Sequence, residues 1–280
     1  MAELVGIFAA SHTPVMLNFP EAIPDDQRLE IFDAFKSLGR RIREARPDIL
    51  VVISDDHLHN FFLDNLPPFC VGAADSYATP IEHWLKAPKR QLRGAPQFSA
   101  HLISTAFENG FDPSLSMDLT LDHGVLTPLE LSGLSGEVSI VPLLVNCVQP
   151  PLPTMSRCLQ WGGLLRQAID SFQMPVRVAI LATGGISHDI ATPRMGLVNE
   201  AFDRRFLELL EGNDNEALLK HAAEEVHTAG NGAEEIRTWL IAHGAAQGVP
   251  GVRTFYQAVA NWYTGIGLME WACEEYQNDQ

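Results

Sequence analysis

Short apolar runs recur along the chain between longer amphipathic segments. Four of these runs are rich in β-branched residues and are mostly apolar rather than strictly alternating. That pattern predicts strands covered on both faces of a largely parallel sheet. The runs cover residues 4–10, 49–54, 138–146 and 176–182. Pro142 and Arg177 are the exceptions within the third and fourth runs.

The segments between the runs have apolar residues three and four positions apart, which is the spacing of one helix face. The clearest is segment 26–46, where Phe32 and Phe35 are in step and Pro47 follows. Further helices are predicted over residues 98–109, 155–172, 197–211, 215–227 and 233–243. Strands that alternate with helices predict the α/β class. We expect a single domain over residues 1–280, with a central largely parallel or mixed sheet flanked by helices on both faces.

Residues 66–96 fit neither pattern and are rich in proline. We expect an ordered excursion over the sheet, of the kind that forms a lid. Four basic residues cluster in this segment: Lys86, Lys89, Arg90 and Arg93. A local basic patch can steer an anionic ligand, and a solvated loop is the alternative interpretation.

The composition argues against several classes of function. The chain has 280 residues and a formal net charge of −16. This charge repels phosphate groups, so we expect neither a nucleic-acid binder nor a protein of anionic membrane surfaces. The four cysteines form no C-x-x-C pair, and no apolar run is long enough to span a membrane. With no secretory signal at the N-terminus, we expect free thiols and a cytoplasmic protein.

Three of the four predicted strands run directly into a histidine-bearing loop. His12 follows the first strand, His57 the second and His188 the fourth. Because the carboxyl ends of parallel strands meet at one edge of a sheet, we expect these loops to lie together. A single histidine after a strand is more often a hydrogen-bonded loop residue, but the recurrence favours a shared site. His123, in a later polar turn, is a fourth candidate.

Several histidines with a carboxylate are typical of a non-haem iron or zinc site, because imidazole is a good ligand for both metals. The residue chemistry alone leaves the carboxylate open. Glu234 and Glu235, which begin an apolar helical segment, are the leading candidates. The alternative is that they are a solvated helix N-terminus, where the helix dipole favours glutamate. Phosphate-binding loops and a G-x-S-x-G nucleophile motif are absent from the sequence.

Five groups of residues, taken in chain order, together resemble the class III extradiol ring-cleaving dioxygenases. The resemblance extends from about residue 6 to residue 246. The groups are Ala-Ser-His-Thr-Pro at 10–14; Asp-His at 56–57 with Asn-Phe-Phe at 60–62 and Leu-Pro-Pro-Phe-Cys-Val-Gly at 66–72; Asp-His-Gly at 122–124 with Pro-Leu-Glu at 128–130; Thr-Gly-Gly-Ile-Ser-His at 183–188; and Glu-Glu-Ile-Arg-Thr-Trp-Leu at 234–240.

The resemblance implies one Fe(II) bound by His12, His57 and Glu235. Glu235 is preferred to Glu234 because the family's glutamate lies four residues before a tryptophan, here Trp239. These ligands are therefore expectations carried over by motif.

The same resemblance implies that His188 is the acid–base histidine and that His123 is a second active-site histidine. His59 is an alternative to His57, because residues i and i+2 share one face of an extended segment.

The implied reaction is Fe(II)-dependent extradiol (meta) cleavage of a catecholic ring, protocatechuate-like, gallate-like or otherwise substituted, with O2 as co-substrate and a muconic semialdehyde-type product. A small second subunit or a homo-oligomer would complete the site. One alternative is a zinc-dependent DOPA-type extradiol homologue. Another is a non-catalytic binding protein of the same fold, although such a protein would be expected to lose the histidine and glutamate set that is present here.

Overall fold

The four apolar runs form the centre of an eight-stranded sheet in the computed structural model, which describes residues 1–273. All four predicted strands are confirmed, because their ends differ from the expected ones by one residue at most. The strands are β1 (Glu3–Ala10), β2 (Ile49–Ser54), β3 (Phe69–Gly72), β4 (Ser76–Thr79), β5 (Arg90–Arg93), β6 (Ser114–Ser116), β7 (Ser139–Val145), β8 (Arg177–Thr183), β9 (Gly251–Val259) and β10 (Thr264–Trp271).

The α-helices are α1 (Val15–Asn18), α2 (Asp25–Glu44), α3 (Pro96–Glu108), α4 (His123–Leu131), α5 (Met155–Ser171), α6 (Glu200–Leu210), α7 (Asn215–Ala229) and α8 (Ile236–Ala245). The predicted helices are confirmed as α2, α3, α5, α6, α7 and α8. The start of α6 is later than expected because the Asn199 side chain caps it, accepting a hydrogen bond from the Phe202 backbone N–H. A short 3-10 turn, Gly232–Glu235, leads into α8.

The strand order of the sheet is β6-β3-β7-β2-β8-β1-β10-β9. The central strands β7, β2, β8 and β1 run parallel to one another. The outer pairings differ, since β10 is antiparallel to β1 and β9, and β3 is antiparallel to β7. The expected α/β class with a mixed sheet is therefore confirmed.

Both faces of the sheet are covered, as the mostly apolar runs predict. In β2, Val51 and Ile53 belong to a core shared with α3 and α5, whereas Leu50 and Val52 belong to the opposite core, shared with α2 and α4. All four side chains are fully buried. Burying an aliphatic side chain of this size contributes about 1.5–3 kcal/mol, so the central strands are strongly held between the two layers.

Several elements differ from the sequence-based expectation. Residues 66–96 form β3 and the two-stranded sheet of β4 and β5, so the excursion is more regular than expected. The strands β9 and β10 were not predicted from the sequence. Glycines at 265 and 267 weaken the strand propensity of β10, and the pairing of β10 with β1 stabilises the strand. Pro142 is tolerated within β7 because the pairing of β7 with β3 covers residues 143–145 only.

The parallel centre aligns the carboxyl ends of three strands. Ala10 of β1 pairs with Thr183 of β8, and Ile53 of β2 pairs with Ala182. The loops that follow these strands therefore begin side by side at one edge of the sheet.

In the described part of the chain, the four cysteines are free, as expected. No helix among residues 1–273 is both long enough and apolar enough to cross a membrane.

Candidate active site

The aligned strand ends bring the predicted histidines together. The ring centroid of His12 lies 5.3 Å from that of His57 and 5.4 Å from that of His123, and the rings of His57 and His123 are 4.2 Å apart. His188 and Glu235 join them at a cavity of about 440 Å³. All five residues predicted from the sequence thus line one cavity.

The loop after β2 holds His57 in an uncommon backbone conformation. His57 and Leu58 have φ values of 40° and 58°, in the left-handed region that non-glycine residues rarely adopt. Such conformations cost about 1–3 kcal/mol each and persist where the surroundings enforce them. Here the Asp56 carboxylate accepts hydrogen bonds from the backbone N–H groups of His59, Asn60 and Phe61, at 3.1, 2.9 and 2.8 Å.

The His57 ring is oriented by Asp122. Its Nδ1 lies 2.9 Å from Asp122 Oδ2, and the other carboxylate oxygen of Asp122 accepts from the Gly124 N–H and so caps α4. Burial opposes ionisation of Asp122, but the charge and hydrogen bond of His57 hold the pKa of that carboxyl well below its usual range. An ionised carboxylate only accepts hydrogen bonds, so Nδ1 carries the proton and Nε2 is the atom available to a ligand.

Glu235 is the carboxylate at the centre of the cluster and is 3% exposed. Its Oε2 accepts a hydrogen bond of 2.6 Å from the Gly185 N–H. Its Oε1 lies 3.5 Å from His57 Nε2 and 3.3 Å from His188 Nε2, and Oε2 lies 3.8 Å from His12 Nε2. Burial opposes its charge, but the adjacent imidazoles of His188 and His12 bring the pKa of Glu235 well below its ordinary value.

The side chain of Glu234, the alternative carboxylate, points away from the cavity. Its side chain forms an ion pair with Arg237 and does not line the cavity. The structure therefore places Glu235, and not Glu234, among the histidines.

His12 is a neutral imidazole in this setting. Burial, opposed by the charge of Glu235, lowers its pKa to about 3. Its Nδ1 is buried and has no hydrogen-bond partner among the described residues.

The pKa of His57 is shifted in the opposite direction to that of His12. Burial opposes its charge, but the neighbouring Asp55 and Asp122 carboxylates raise the pKa of His57 well above its ordinary value. The same two carboxylates would also favour a metal cation at this position.

His188 is confined between two glycines. A Cβ atom at Gly185 or at Gly232 would overlap the imidazole ring. Its Nδ1 is buried without a partner among the described residues, while Nε2 faces Glu235. The absence of a side chain at 185 and 232 thus makes the space in which this ring lies.

His123 is held by a residue that the sequence did not indicate. Oε1 of Glu82 accepts from the His123 backbone N–H at 3.0 Å and lies 2.5 Å from His123 Nδ1. His59 Nε2 approaches the same oxygen, at 3.3 Å. Burial opposes ionisation of Glu82, but its contacts with His123 lower its pKa. His59 therefore lies beside Glu82, whereas His57 faces Glu235.

Burial lowers the pKa of His123, and the nearby His57 adds to this effect. A neutral His123 donates its Nδ1–H to the ionised Glu82, which leaves Nε2 as a hydrogen-bond acceptor.

The basic cluster of the excursion does not reach the cavity. Lys86 donates to the Asn18 carbonyl, Arg90 pairs with Glu130 and Arg93 donates to the Glu137 carbonyl. No residue of 66–96 is among the described residues that line the cavity, and the segment contacts the site through Glu82, which holds His123.

Three carboxylates that contact the histidines of the site were not predicted from the sequence. They are Asp55, Asp122 and Glu82. Asp122 belongs to the Asp-His-Gly group at 122–124 and Asp55 lies two residues before His57, so their position in the chain was a usable signal. No sequence signal indicated Glu82, because it lies 41 residues from His123 in the chain.

The donor set fits a divalent transition metal. Ligand atoms of His12, Asp55, His57 and Glu235 all lie within 4.8 Å of one another. Nitrogen and carboxylate oxygen donors in one buried cluster suit iron, zinc or manganese. The Asp122 carboxylate behind His57 is the usual outer partner of a metal-binding histidine.

Known proteins are similar to this chain in sequence and in fold. The family described as "Catalytic LigB subunit of aromatic ring-opening dioxygenase" matches residues 6–267. The chain is 27% identical to a 2,3-dihydroxyphenylpropionate/2,3-dihydroxicinnamic acid 1,2-dioxygenase of Photorhabdus laumondii, over 95% of this chain and 96% of that protein. It is 40% identical to a gallate dioxygenase of Pseudomonas putida over 54% of this chain and 45% of that protein.

The fold is similar to that of an uncharacterized protein from Escherichia coli K12, known from a crystal structure. The TM-score is 0.66 at 15% sequence identity, and the match covers 95% of this chain and 100% of that one. The family match extends from within β1 to the middle of β10 and includes every residue that converges at the cavity. The chain therefore belongs to the LigB family and is a class III extradiol aromatic ring-cleaving dioxygenase.

Proposed function

We propose that this dioxygenase uses Fe(II), held by His12, His57 and Glu235, to open a catechol-type ring beside its hydroxyl groups. The observation that carries the proposal is the convergence of two imidazoles and one carboxylate at the cavity, with Nε2 of His57 left free by Asp122. O2 is the co-substrate, and the expected product is of the muconic semialdehyde type. When bound, Fe(II) would supply the Lewis acidity that lowers a phenol pKa and the redox chemistry that O2 requires.

His188 is the proposed acid–base residue. Its ring lines the cavity, its Nε2 faces Glu235, and the flanking glycines hold it in place. A histidine in this position can take the proton of a substrate hydroxyl and later return it to an oxygen of the opening ring. His123 is proposed to accept a hydrogen bond from a substrate hydroxyl at Nε2, because Glu82 occupies Nδ1.

The cavity suits a small aromatic ring. Its volume of about 440 Å³ lies in the usual range for small-molecule sites. Apolar side chains form much of its wall, namely Val15, Val148, Ile190, Met195 and Trp262. No lysine or arginine of residues 1–273 lines it. Protocatechuate-like, gallate-like and other substituted catechols remain the proposed substrate class, and substituent charge is the property that a substrate panel should vary.

The test is oxygen consumption by protein loaded anaerobically with Fe(II). The panel contains catechol, protocatechuate, gallate and 2,3-dihydroxyphenylpropionate, and a yellow ring-opened product is followed by absorbance. We expect one O2 consumed per ring opened with at least one of these compounds. The matched control is the same protein loaded with Zn(II), which should consume no oxygen.

Zinc copurifying in stoichiometric amount, with no oxygen uptake on any catechol, would support the zinc-dependent DOPA-type alternative instead. The family and its named relatives are dioxygenases, which disfavours the non-catalytic binding protein. We further propose that the enzyme acts in the cytoplasm, as a homo-oligomer or with a small second subunit.

Replacing Gly232 with alanine should impair catalysis without unfolding the protein. The new Cβ overlaps the His188 ring, and that side chain can move towards the cavity to relieve the overlap. A misplacement of about 1 Å can cost about 100-fold in rate, so we expect a loss of kcat of that order. Steady-state oxygen uptake measures the loss, and metal content should stay unchanged.

Gly163→Ala is the matched control, because a Cβ there meets no atom within 4 Å. It lies in α5 and should leave kcat unchanged while slightly raising the melting temperature. Equal kcat values for Gly232→Ala and wild type would contradict the role assigned to the glycine.

A further inference from the structure

Asp55 is a buried carboxylate that the roles assigned so far do not use. It follows β2 directly and is 1% exposed. Neither of its carboxylate oxygens has a hydrogen-bond partner among the described residues. An ionised carboxylate taken out of water without donors is costly, so a buried one normally has a proton or a cation close by.

The Asp55 side chain is aimed at the proposed metal position. Its Oδ2 lies 3.3 Å from His57 Nε2, the ring nitrogen that Asp122 leaves free. Glu235 Oε1 approaches the same nitrogen, at 3.5 Å. Two carboxylates thus converge on one imidazole nitrogen, and Asp55 lines the same cavity.

The donor groups at this point suit a divalent cation. Ligand atoms of His12, Asp55, His57 and Glu235 lie within 4.8 Å of one another, so two carboxylates and two imidazoles meet here. No lysine or arginine among residues 1–273 lines the cavity. A divalent cation bound there would give the Asp55 oxygens, which lack a hydrogen-bond partner among the described residues, a bond.

We propose that Asp55 is a fourth protein ligand, so that the resting site holds its divalent metal with two histidines and two carboxylates. This inference rests on the proposed metal centre and adds a ligand to it. A site with an extra anionic oxygen binds Fe(II) more tightly before substrate arrives, and shifts preference towards metals that favour oxygen ligands, such as Mn(II). A competing role, acceptance of a hydrogen bond from substrate by Asp55, would leave the substrate-free metal affinity unaltered.

The experiment is an anaerobic titration with Co(II), a spectroscopic substitute for Fe(II), in the absence of any catechol. Asp55→Asn preserves shape and removes the charge, and we expect its Co(II) affinity to fall at least about tenfold. Asp64→Asn, an exposed position in the following loop, is the matched control and should bind like wild type.

A second variant separates direct ligation from a charge effect. Asp55→Cys places a thiolate at the same position, and ligation would add a near-ultraviolet thiolate-to-cobalt absorption above the wild-type baseline, which includes Cys147 at the cavity. Absence of that band, or an Asp55→Asn affinity equal to wild type, would overturn the inference.

The same titration is run on Glu235→Ala. Full Co(II) affinity in that variant would overturn the proposed metal centre itself. Loss of binding there, together with unchanged binding in Asp55→Asn, would refute only the role of Asp55.

Discussion

Alanine at His12, His57 or Glu235 is expected to abolish retention of Fe(II). Each residue supplies one ligand atom of the proposed site. The Glu235 carboxylate lies between the two histidines, with Oε2 3.8 Å from His12 Nε2 and Oε1 3.5 Å from His57 Nε2. Removing one of three ligands also leaves the other charges of this buried cluster unbalanced. Iron per protein chain, measured after anaerobic loading and desalting, should fall from about one in the wild type to near zero.

Glu234→Ala is the matched control for Glu235→Ala. The two residues are adjacent, but Glu234 is paired with Arg237 outside the cavity and should not affect iron content. Glu235→Gln is a second variant, because its amide oxygen can still accept from the Gly185 N–H and so preserve the local fold. Iron loss in Glu234→Ala with full iron in Glu235→Ala would mean that the ligand had been assigned one residue out of register.

His188→Phe is expected to keep iron and lose turnover. Phenylalanine keeps a planar ring between Gly185 and Gly232 but can neither take nor return a proton. General acid–base residues typically contribute about 10²–10⁴-fold to rate, so we expect a fall in kcat within that range. Steady-state oxygen uptake by iron-loaded protein measures kcat, and iron content is determined on the same sample.

His188→Gln has a smaller side chain and tests whether the loss is due to the bulk of the phenyl ring. It should also lose turnover. His227→Phe is the control, since His227 is exposed on α7, away from the cavity. Wild-type turnover in both His188 variants would refute the proton-transfer role. Iron loss in both would instead make His188 a part of the metal site.

The fold could be predicted to the extent that local patterns encode it. The β-branched runs that end at Ala10, Ser54 and Ala182 could be predicted as strands, because a strand buried on both faces needs apolar side chains on both. The edge strands β9 and β10 escaped prediction, because they depend on pairing with β1 rather than on their own propensity.

Some residues of the candidate site were likewise predictable from local sequence patterns, and others were not. His12, His57 and His188 follow from strand ends that are parallel and in register, so their proximity was predictable. Glu235 came from the resemblance to the extradiol dioxygenases, because residue chemistry alone left it equal to Glu234. Its position at the cavity supports that choice.

The sequence by itself determined the α/β architecture, the three histidine-bearing strand ends and the family. Only the tertiary structure decided which atoms of those histidines face the cavity, through Asp122 on His57 and Glu82 on His123. Those carboxylates lie 65 and 41 residues from their partners. Local periodicity reports which face of an element is buried, but a hydrogen bond between distant loops depends on the packing of the whole sheet, so no short pattern encodes it.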